Sequence, residues 1–274
     1  MLYLITGTKG YVGSKVKEKF IENNEKIEEI NFDLSENENF TKKYEENFIV
    51  VHIAGEKSNN KNKLIRNNIV ATSNVINNLA LQKNCKGMVY ISSIAVFGLQ
   101  DKPITENSPF NYDNYYGFSK YIAERIIIET LKDKNYYILR PTNIYSDHTN
   151  NIIGMLSEKI KTGEEFEVWT SSLETKRDYI HLNKVVGYIY KACVKLKKEK
   201  IQKAINVAEG KSFTLKEIIK CLEHKYNKKL NQKIINNDAY RSKDLIVENK
   251  LLVEKLGYEF NYNKVEEWFI WNQI

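Results

Sequence analysis

Tyr116 and Lys120 stand four residues apart at the start of a long helical pattern. On a helix that spacing puts both side chains on one face, about one turn apart. A free phenol titrates near ~10 and exchanges protons poorly at neutral pH. An adjacent ammonium favours the phenolate and pulls that value down, so the pair is a candidate general acid/base. The same spacing also suits an aromatic core contact beside a solvated lysine. The rest of the chain has to decide between the two.

A second constellation lies at the N-terminus, where Thr6-Gly7-Thr8-Lys9-Gly10-Tyr11-Val12-Gly13 follows an apolar run at 2–6 and opens a helical pattern. Glycines at these places allow a tight turn, let the backbone approach a pyrophosphate, and let the helix pack close to the strand. The helix start then offers N–H groups and a partial positive charge to phosphate oxygens. A strand before and a helix after form the context in which the motif signals dinucleotide binding rather than a plain turn.

The elements that must position these residues follow from periodicity. Apolar runs at 2–6, 27–32, 48–53, 88–92 and 136–140 read as strands. Between them, 11–23, 36–46, 63–82 and 115–131 read as helices, the last with Ile122, Ile126 and Ile127 on its buried side. Alternation of this kind predicts an α/β fold, a Rossmann-type doubly wound parallel sheet, with ligands beyond the carboxyl ends of the strands. After Pro141 the rhythm changes: 151–161 and 184–197 read as helices, 165–169 and 179–182 as extended segments, and 264–270 as a last helix. Thr214 with Glu217 three residues on forms a capping box. The expected organisation is a dinucleotide-binding domain over 1–143, rejoined by 178–198. The remaining 144–177 and 199–274 form a smaller C-terminal substrate-binding lobe.

Composition excludes several classes. In 274 residues, 42% hydrophobic and 28% charged, the balance is that of an ordinary globular chain. The net charge of +7 is spread thinly, and its densest run, Lys195, Lys197, Lys198 and Lys200, ends a helical pattern, where cations are favoured anyway. No nucleic-acid partner is expected; an anionic small molecule is compatible. Cys85, Cys193 and Cys221 lie far apart, without metal or disulfide spacing, so a reducing cytoplasm is the natural location. His52, His148, His181 and His224 likewise lack ligand spacing, and no metal is expected. No apolar run approaches the ~20 residues needed to span a bilayer, so no membrane association is expected.

The Thr-Gly-x-x-Gly-x-x-Gly spacing resembles that of the extended short-chain dehydrogenase/reductase family, the group of nucleotide-sugar epimerases, dehydratases and reductases. The resemblance continues in order along nearly the whole chain. Val51-His52-Ile53-Ala54-Gly55 with Lys57 is similar to the family's fourth-strand segment. Asn67-Asn68-Ile69-Val70-Ala71-Thr72 is similar to its Asn-x-x-Gly-Thr helix, with Ala71 for the glycine. Ser92-Ser93-Ile94-Ala95-Val96-Phe97-Gly98 resembles its serine segment. Arg140-Pro141-Thr142-Asn143, Arg177-Asp178-Tyr179-Ile180-His181, and Arg241 with Asp244 before Leu256-Gly257-Tyr258 are further landmarks. Asn183 departs from the aspartate usual after the fifth of these.

The resemblance implies a catalytic set of Ser93, Tyr116 and Lys120. Tyr116 would transfer a proton while hydride moves at the nicotinamide, Lys120 would lower its pKa and bond the nicotinamide ribose, and Ser93 would orient the substrate oxygen. It implies a cofactor site of Gly7, Gly10, Tyr11, Val12, Gly13, Asp33, Leu34, Ile53, Ala54, Gly55, Lys57 and Asn68, besides Tyr116 and Lys120. Substrate would meet Ser93, Asn143, Arg177 and Arg241, the arginines holding a diphosphate. Tyr115, adjacent to the catalytic tyrosine, is expected to pack against the lobe.

NAD is the expected cofactor, with NADP left open. The 27–48 segment is short, so two of the family's strands are merged or one is lost. Asn31 stands near the ribose-binding acid, and Asp33 has two candidate roles, with ribose or with adenine. No arginine is near in sequence to hold a 2′-phosphate. Ile94 and Ala95 stand where family dehydratases carry an acidic pair, and Ala95 where the double epimerase/reductases carry a cysteine; this disfavours both chemistries. Epimerisation at a sugar carbon and 4-keto reduction remain, beside a related oxidoreductase on another carbonyl substrate and a non-catalytic NAD(P) sensor. A homodimer through the helices at 63–82 and 115–131 is expected.

Overall fold

Leu2–Thr6 and Phe48–His52 are buried at every position, the signature of strands covered on both faces. In the computed structural model, which describes residues 1–146, 151–236 and 243–257, they form β1 (Leu2–Thr6) and β3 (Phe48–His52) at the centre of one sheet. Helix α1 (Tyr11–Glu22) returns the chain to β2 (Lys26–Ile30) on one side of β1, and β3 lies on the other. Next follow β4 (Cys85–Ile91), β5 (Tyr136–Pro141) and β9 (Gln202–Val207), giving the order β2-β1-β3-β4-β5-β9 with every pairing parallel. The reversal of direction at β1 is a topological switch point. It places Gly7 and Ile53-Ala54-Gly55 side by side just past two strand ends.

Two elements differ from the sequence expectation. The predicted 36–46 helix is only a 3₁₀ turn, Asn37–Asn39. Its backbone is served instead by side chains: Asn74 Nδ2 donates to Leu34 O and Ser35 O, Gln82 Oε1 accepts from Tyr44 N, and Asn84 Nδ2 donates to Tyr44 O and Glu45 O. With those groups satisfied, no helix is needed there. No strand occurs between β2 and β3, so the merged or lost strand is real among the described residues, and β2 is the sheet edge. The second difference is β9. The sequence reading assigned 199–274 to the lobe, but Gln202–Val207 pairs residue for residue with Tyr136–Pro141.

The helix expected at 63–82 spans 61–80: α2 (Lys61–Leu64), a π-helical turn Ile65–Val70, α3 (Ala71–Val75) and a second π-helical turn Ile76–Ala80. Asn60 caps it by accepting from Lys63 N. Helix α4 (Tyr115–Thr130) starts at Asn114, whose side chain accepts from Gly117 N at 2.8 Å. Val75, Ile76, Ala123, Ile127 and Leu131 from these helices join Leu4, Val50, Met88 and Ile138 in one core.

The chain divides into two compact units. The first takes 1–98, 108–141 and 183–207, the second 99–107, 142–182 and the described residues from 208 onward. The boundaries read from sequence at 143, 178 and 198 thus fall at 141, 183 and 207. In the second unit β6 (Asn143–Tyr145), β8 (Lys176–His181) and β10 (Ser212–Thr214) form a sheet in the order β10-β8-β6, and β7 (Phe166–Trp169) pairs with β11 (Gln232–Ile235). Helices α5 (Ile152–Thr162) and α8 (Leu215–Tyr226) contribute Leu156, Ile160, Ile218 and Leu222 to its core. The Thr214–Glu217 capping box is present as read. Three more helices are α6 (Thr170–Leu173), α7 (Leu182–Leu196) and α9 (Lys250–Leu256). The helix expected at 264–270 lies outside the described residues. No described helix is long and apolar enough to cross a membrane.

Candidate active site

The glycine turn is built by close contacts only glycine permits. Gly7 has φ +75°, and a Cβ there would stand 2.6 Å from Ala54 N; a Cβ on Gly13 would stand 2.0 Å from Gly7 O. Gly10 caps α1 without a side-chain bond, donates its own N–H to Gly7 O at 3.0 Å, and no acidic residue occupies the first turn. The leading amides of a helix have no intrahelical partner, so the Gly10–Gly13 turn presents donors and a positive dipole end. A Cβ on Gly10 would meet only Gly7 O, at 3.3 Å. A pyrophosphate fits this cradle.

Behind the turn lies a buried hydrogen-bond chain. Ile53 N and Ala54 N both donate to Thr6 Oγ1 at 3.1 Å, so the hydroxyl hydrogen of Thr6 goes to His52 Nδ1 at 2.7 Å. That fixes the tautomer: Nε2 carries the ring hydrogen and donates to Thr72 Oγ1 at 3.0 Å, which donates to Asn68 O at 2.6 Å. Burial, with the Lys120 charge, pushes His52 down to about 3, so the ring is neutral as this chain requires. The Asn68 carboxamide is fully engaged, with Glu56 N and O and with Ser119 Oγ. It holds 55–57 against α4.

At the end of β2 the structure adds Glu29 and Arg66, which the sequence reading missed, beside Asn31 and Asp33, which it named. Glu29 Oε2 and Asn31 Oδ1 accept from the Thr8 hydroxyl at 2.6 and 3.0 Å. Bonds from Lys17 and Thr8 hold Glu29 down at about 2. An arginine is near Asp33 after all: Arg66 Nη2 lies 2.8 Å from Asp33 and 2.6 Å from Glu36, and its Nε donates to Ser35 Oγ. Asp33 is held below the usual carboxylate range by the Ser35 hydroxyl and amide, then by Arg66. Leu34 is buried in the core, and Lys57 is exposed.

Ser93 caps the 3₁₀ turn Ile94–Phe97 by accepting from Ala95 N. Tyr116 is half-buried on the first turn of α4, with the Ser93 hydroxyl facing its phenol. Burial raises the phenol above its ordinary value, and the Ser93 hydroxyl opposes this. The sequence expectation that Lys120 lowers it is not what these groups produce. The Lys120 ammonium is directed to Ile91 O at 2.9 Å and Tyr90 Oη at 3.3 Å. Desolvation brings Lys120 down to about 8, against the pull of Glu124. Tyr115 is 54% exposed, with Lys61 Nζ 4.0 Å above its ring.

One turn below Lys120, Glu124 is fully buried. It receives Arg140 in a forked pair, Nε to Oε1 at 2.9 Å and Nη2 to Oε2 at 2.7 Å, together with Ser92 Oγ at 2.5 Å. The two adjacent serines thus separate in role: Ser92 is spent on the core, while Ser93 caps the next turn and faces Tyr116.

In the second unit, Asp178 is wholly buried and accepts from Thr142 Oγ1, Glu209 N and Gly210 N at 2.7, 3.1 and 2.9 Å. Burial pushes it up to about 7, with those three bonds opposing and the Glu209 charge adding. Asn143 Nδ2 donates to Asp178 O, and Arg177 Nη1 donates to the carbonyls of Lys176 and Lys243. The two lie on neighbouring strands, β6 and β8, with Asn143 opposite Tyr179. Arg241 and His148 lie outside the described residues.

A doubly wound parallel sheet with a glycine turn at its switch point defines a dinucleotide-binding protein of the Rossmann class. The model of the NAD dependent epimerase/dehydratase family matches residues 3–208, and the chain belongs to that family. It is an NAD-dependent enzyme of the extended short-chain dehydrogenase/reductase type.

Among curated relatives, a dTDP-4-dehydro-6-deoxyglucose reductase of Escherichia coli is 29% identical over 66% of this chain and 60% of its own length. A UDP-glucose 4-epimerase of Bacillus subtilis is 26% identical over 81% of each chain. A UDP-glucose 4-epimerase of Thermotoga maritima, solved with UDP-glucose, shares the fold with a TM-score of 0.85 at 19% identity, covering 100% of both chains.

Proposed function

We propose that this chain is a nucleotide-sugar 4-epimerase or 4-ketoreductase in which Tyr116 moves a proton at the substrate oxygen. The observation that carries this is the Ser93 hydroxyl facing the Tyr116 phenol on the first turn of α4, in the same first unit as the glycine turn. The names of the relatives, epimerases and a reductase, agree with it. Bound nicotinamide dinucleotide would supply or accept the hydride. The Gly7–Gly13 turn would hold its pyrophosphate, Asp33 a ribose hydroxyl, and Lys120 the ribose next to the nicotinamide, with Leu34, Ile53, Ala54, Gly55 and Lys57 along its course. Asn68 acts through position, since its carboxamide is committed inside the protein.

Tyr116 gives its proton to a carbonyl oxygen or takes one from a carbinol, and the Ser93 hydroxyl orients that oxygen. The raised phenol favours the protonated, donating form before a positive charge arrives above it. Asn143, Arg177 and Arg241 are assigned to the nucleotide sugar, the arginines to its diphosphate. A homodimer through residues 61–80 and α4 belongs to this reading, as does a cytoplasmic location, which three buried cysteines outside any disulfide support.

The experiment is a panel of UDP-, dTDP- and GDP-sugars and their 4-keto forms with NADH and NADPH, followed by NMR and cofactor absorbance. Conversion of one nucleotide sugar establishes the reading, and separates epimerase from reductase by whether reduced cofactor is consumed. Binding of none would sink it.

A further inference from the structure

An ammonium has three N–H donors, and the fold commits two of those on Lys120. One goes to Ile91 O at 2.9 Å, the other to Tyr90 Oη at 3.3 Å. The Tyr90 ring faces the same ammonium, with its centroid 4.9 Å from Nζ. Tyr90 is itself immobilised: it is 1% exposed, its ring stacks on His52 at 5.5 Å, and its hydroxyl faces the Thr72 side chain. Thr72 continues to His52 and Asn68, and Asn68 returns to Ser119, the residue before Lys120. A closed circuit thus runs from β4 through β3 and the 61–80 helix to α4. Opposite it, a Cβ on residue 55 would stand 3.1 Å from Nζ, so Gly55 keeps that approach clear.

We propose that Tyr90 is a positioning residue for Lys120: its hydroxyl and ring fix the ammonium so that one N–H remains directed to a hydroxyl of the bound dinucleotide. The inference rests on Lys120 being a cofactor contact. The groups facing Lys120 support an electrostatic side to this role. His52 on β3 is neutral, and Tyr90 stays protonated because burial raises it well above the ordinary phenol value. Tyr116 is raised as well, while Glu124 on α4 is matched by Arg140 on β5. Glu124 therefore favours the charged lysine against desolvation, and the Tyr90 hydroxyl gives that ammonium an acceptor.

Tyr90→Phe removes the hydroxyl and keeps the ring and its packing; Tyr90→Leu removes both. NADH binding is followed by fluorescence without sugar between pH 6 and 9.5, alongside thermal melting. The expected result for Tyr90→Phe is near-native melting, about five- to tenfold weaker NADH binding, and an alkaline limb moved down by about half a pH unit or more. Tyr90→Leu moves further in the same direction. Thr72→Val, which leaves the Lys120–Tyr90 contact in place while removing the Thr72 hydroxyl from Tyr90, His52 and Asn68, moves less. Lys120→Met abolishes the limb. A folded Tyr90→Phe or Thr72→Val protein with wild-type affinity and limb overturns the proposal. Wild-type protein that binds neither NADH nor NADPH fails at the earlier step, and removes the cofactor reading together with this inference.

Discussion

A Cβ on Gly117 would stand 2.3 Å from the carbonyl oxygen of Ala95. The first turn of α4 therefore rests directly on the turn that Ser93 caps, with the Tyr116 phenol facing the Ser93 hydroxyl. The helix cap joins in, since Gly117 N is also the donor to Asn114.

Gly117→Ala is predicted to push the two turns apart. Alanine is the better helix former by ~1 kcal/mol, so the fold should survive while the geometry suffers. A misplacement of about 1 Å costs on the order of 10²-fold in rate. The expected outcome is a loss of that order in kcat/KM with a small change in melting temperature. A Gly117→Ala enzyme with native kinetics would mean that the contact does not set the catalytic distance.

The buried Arg140–Glu124 pair makes a stability prediction. Its side chains are 3% and 0% exposed, and removing one partner of a buried pair strands the other charge, at a cost of about 3–5 kcal/mol. Glu124→Ala should therefore lower the urea midpoint sharply. The same loss should follow from Arg140→Ala. The double variant should recover part of it, because no unpaired charge remains. Additive losses in the double variant would show that the pair is not coupled.

Asp178 predicts a pH dependence. Its folded value of about 7 lies above the unfolded carboxylate value of ~3.9, so the folded chain binds this proton more tightly. The stabilising contribution is full below pH ~4 and is lost as pH rises to about 7. Asp178→Asn cannot titrate, and its melting temperature should fall less steeply between pH 5 and 8 than that of the wild type. Parallel slopes would assign the dependence to other groups.

Much of this architecture was legible because it rests on local pattern. The glycine turn, the Tyr116–Lys120 spacing and the five apolar strands all announce themselves within a few residues. β9 did not: it begins Gln202-Lys203, exposed at the sheet edge, and only pairing with β5 makes it a strand. The 36–46 segment was read as a helix, yet Gln82 and Asn84 supply backbone partners to it from elsewhere.

The site shows the same division. Arg66 meets Asp33 across 33 residues, Lys120 meets Tyr90 across 30, and Arg140 meets Glu124 across 16. Periodicity carries no signal for such pairs. Even the Tyr116 environment was half hidden, since burial, which raises the phenol, is a property of the packed fold.

The account stands on Tyr116 as the group that moves the proton, and Tyr116→Phe tests it most directly because only one oxygen is lost. NADH affinity and turnover of the nucleotide sugar identified by the panel are measured on the same preparation. The prediction is near-native NADH binding with turnover reduced on the order of 10²- to 10⁴-fold. Native turnover in the phenylalanine variant would contradict it.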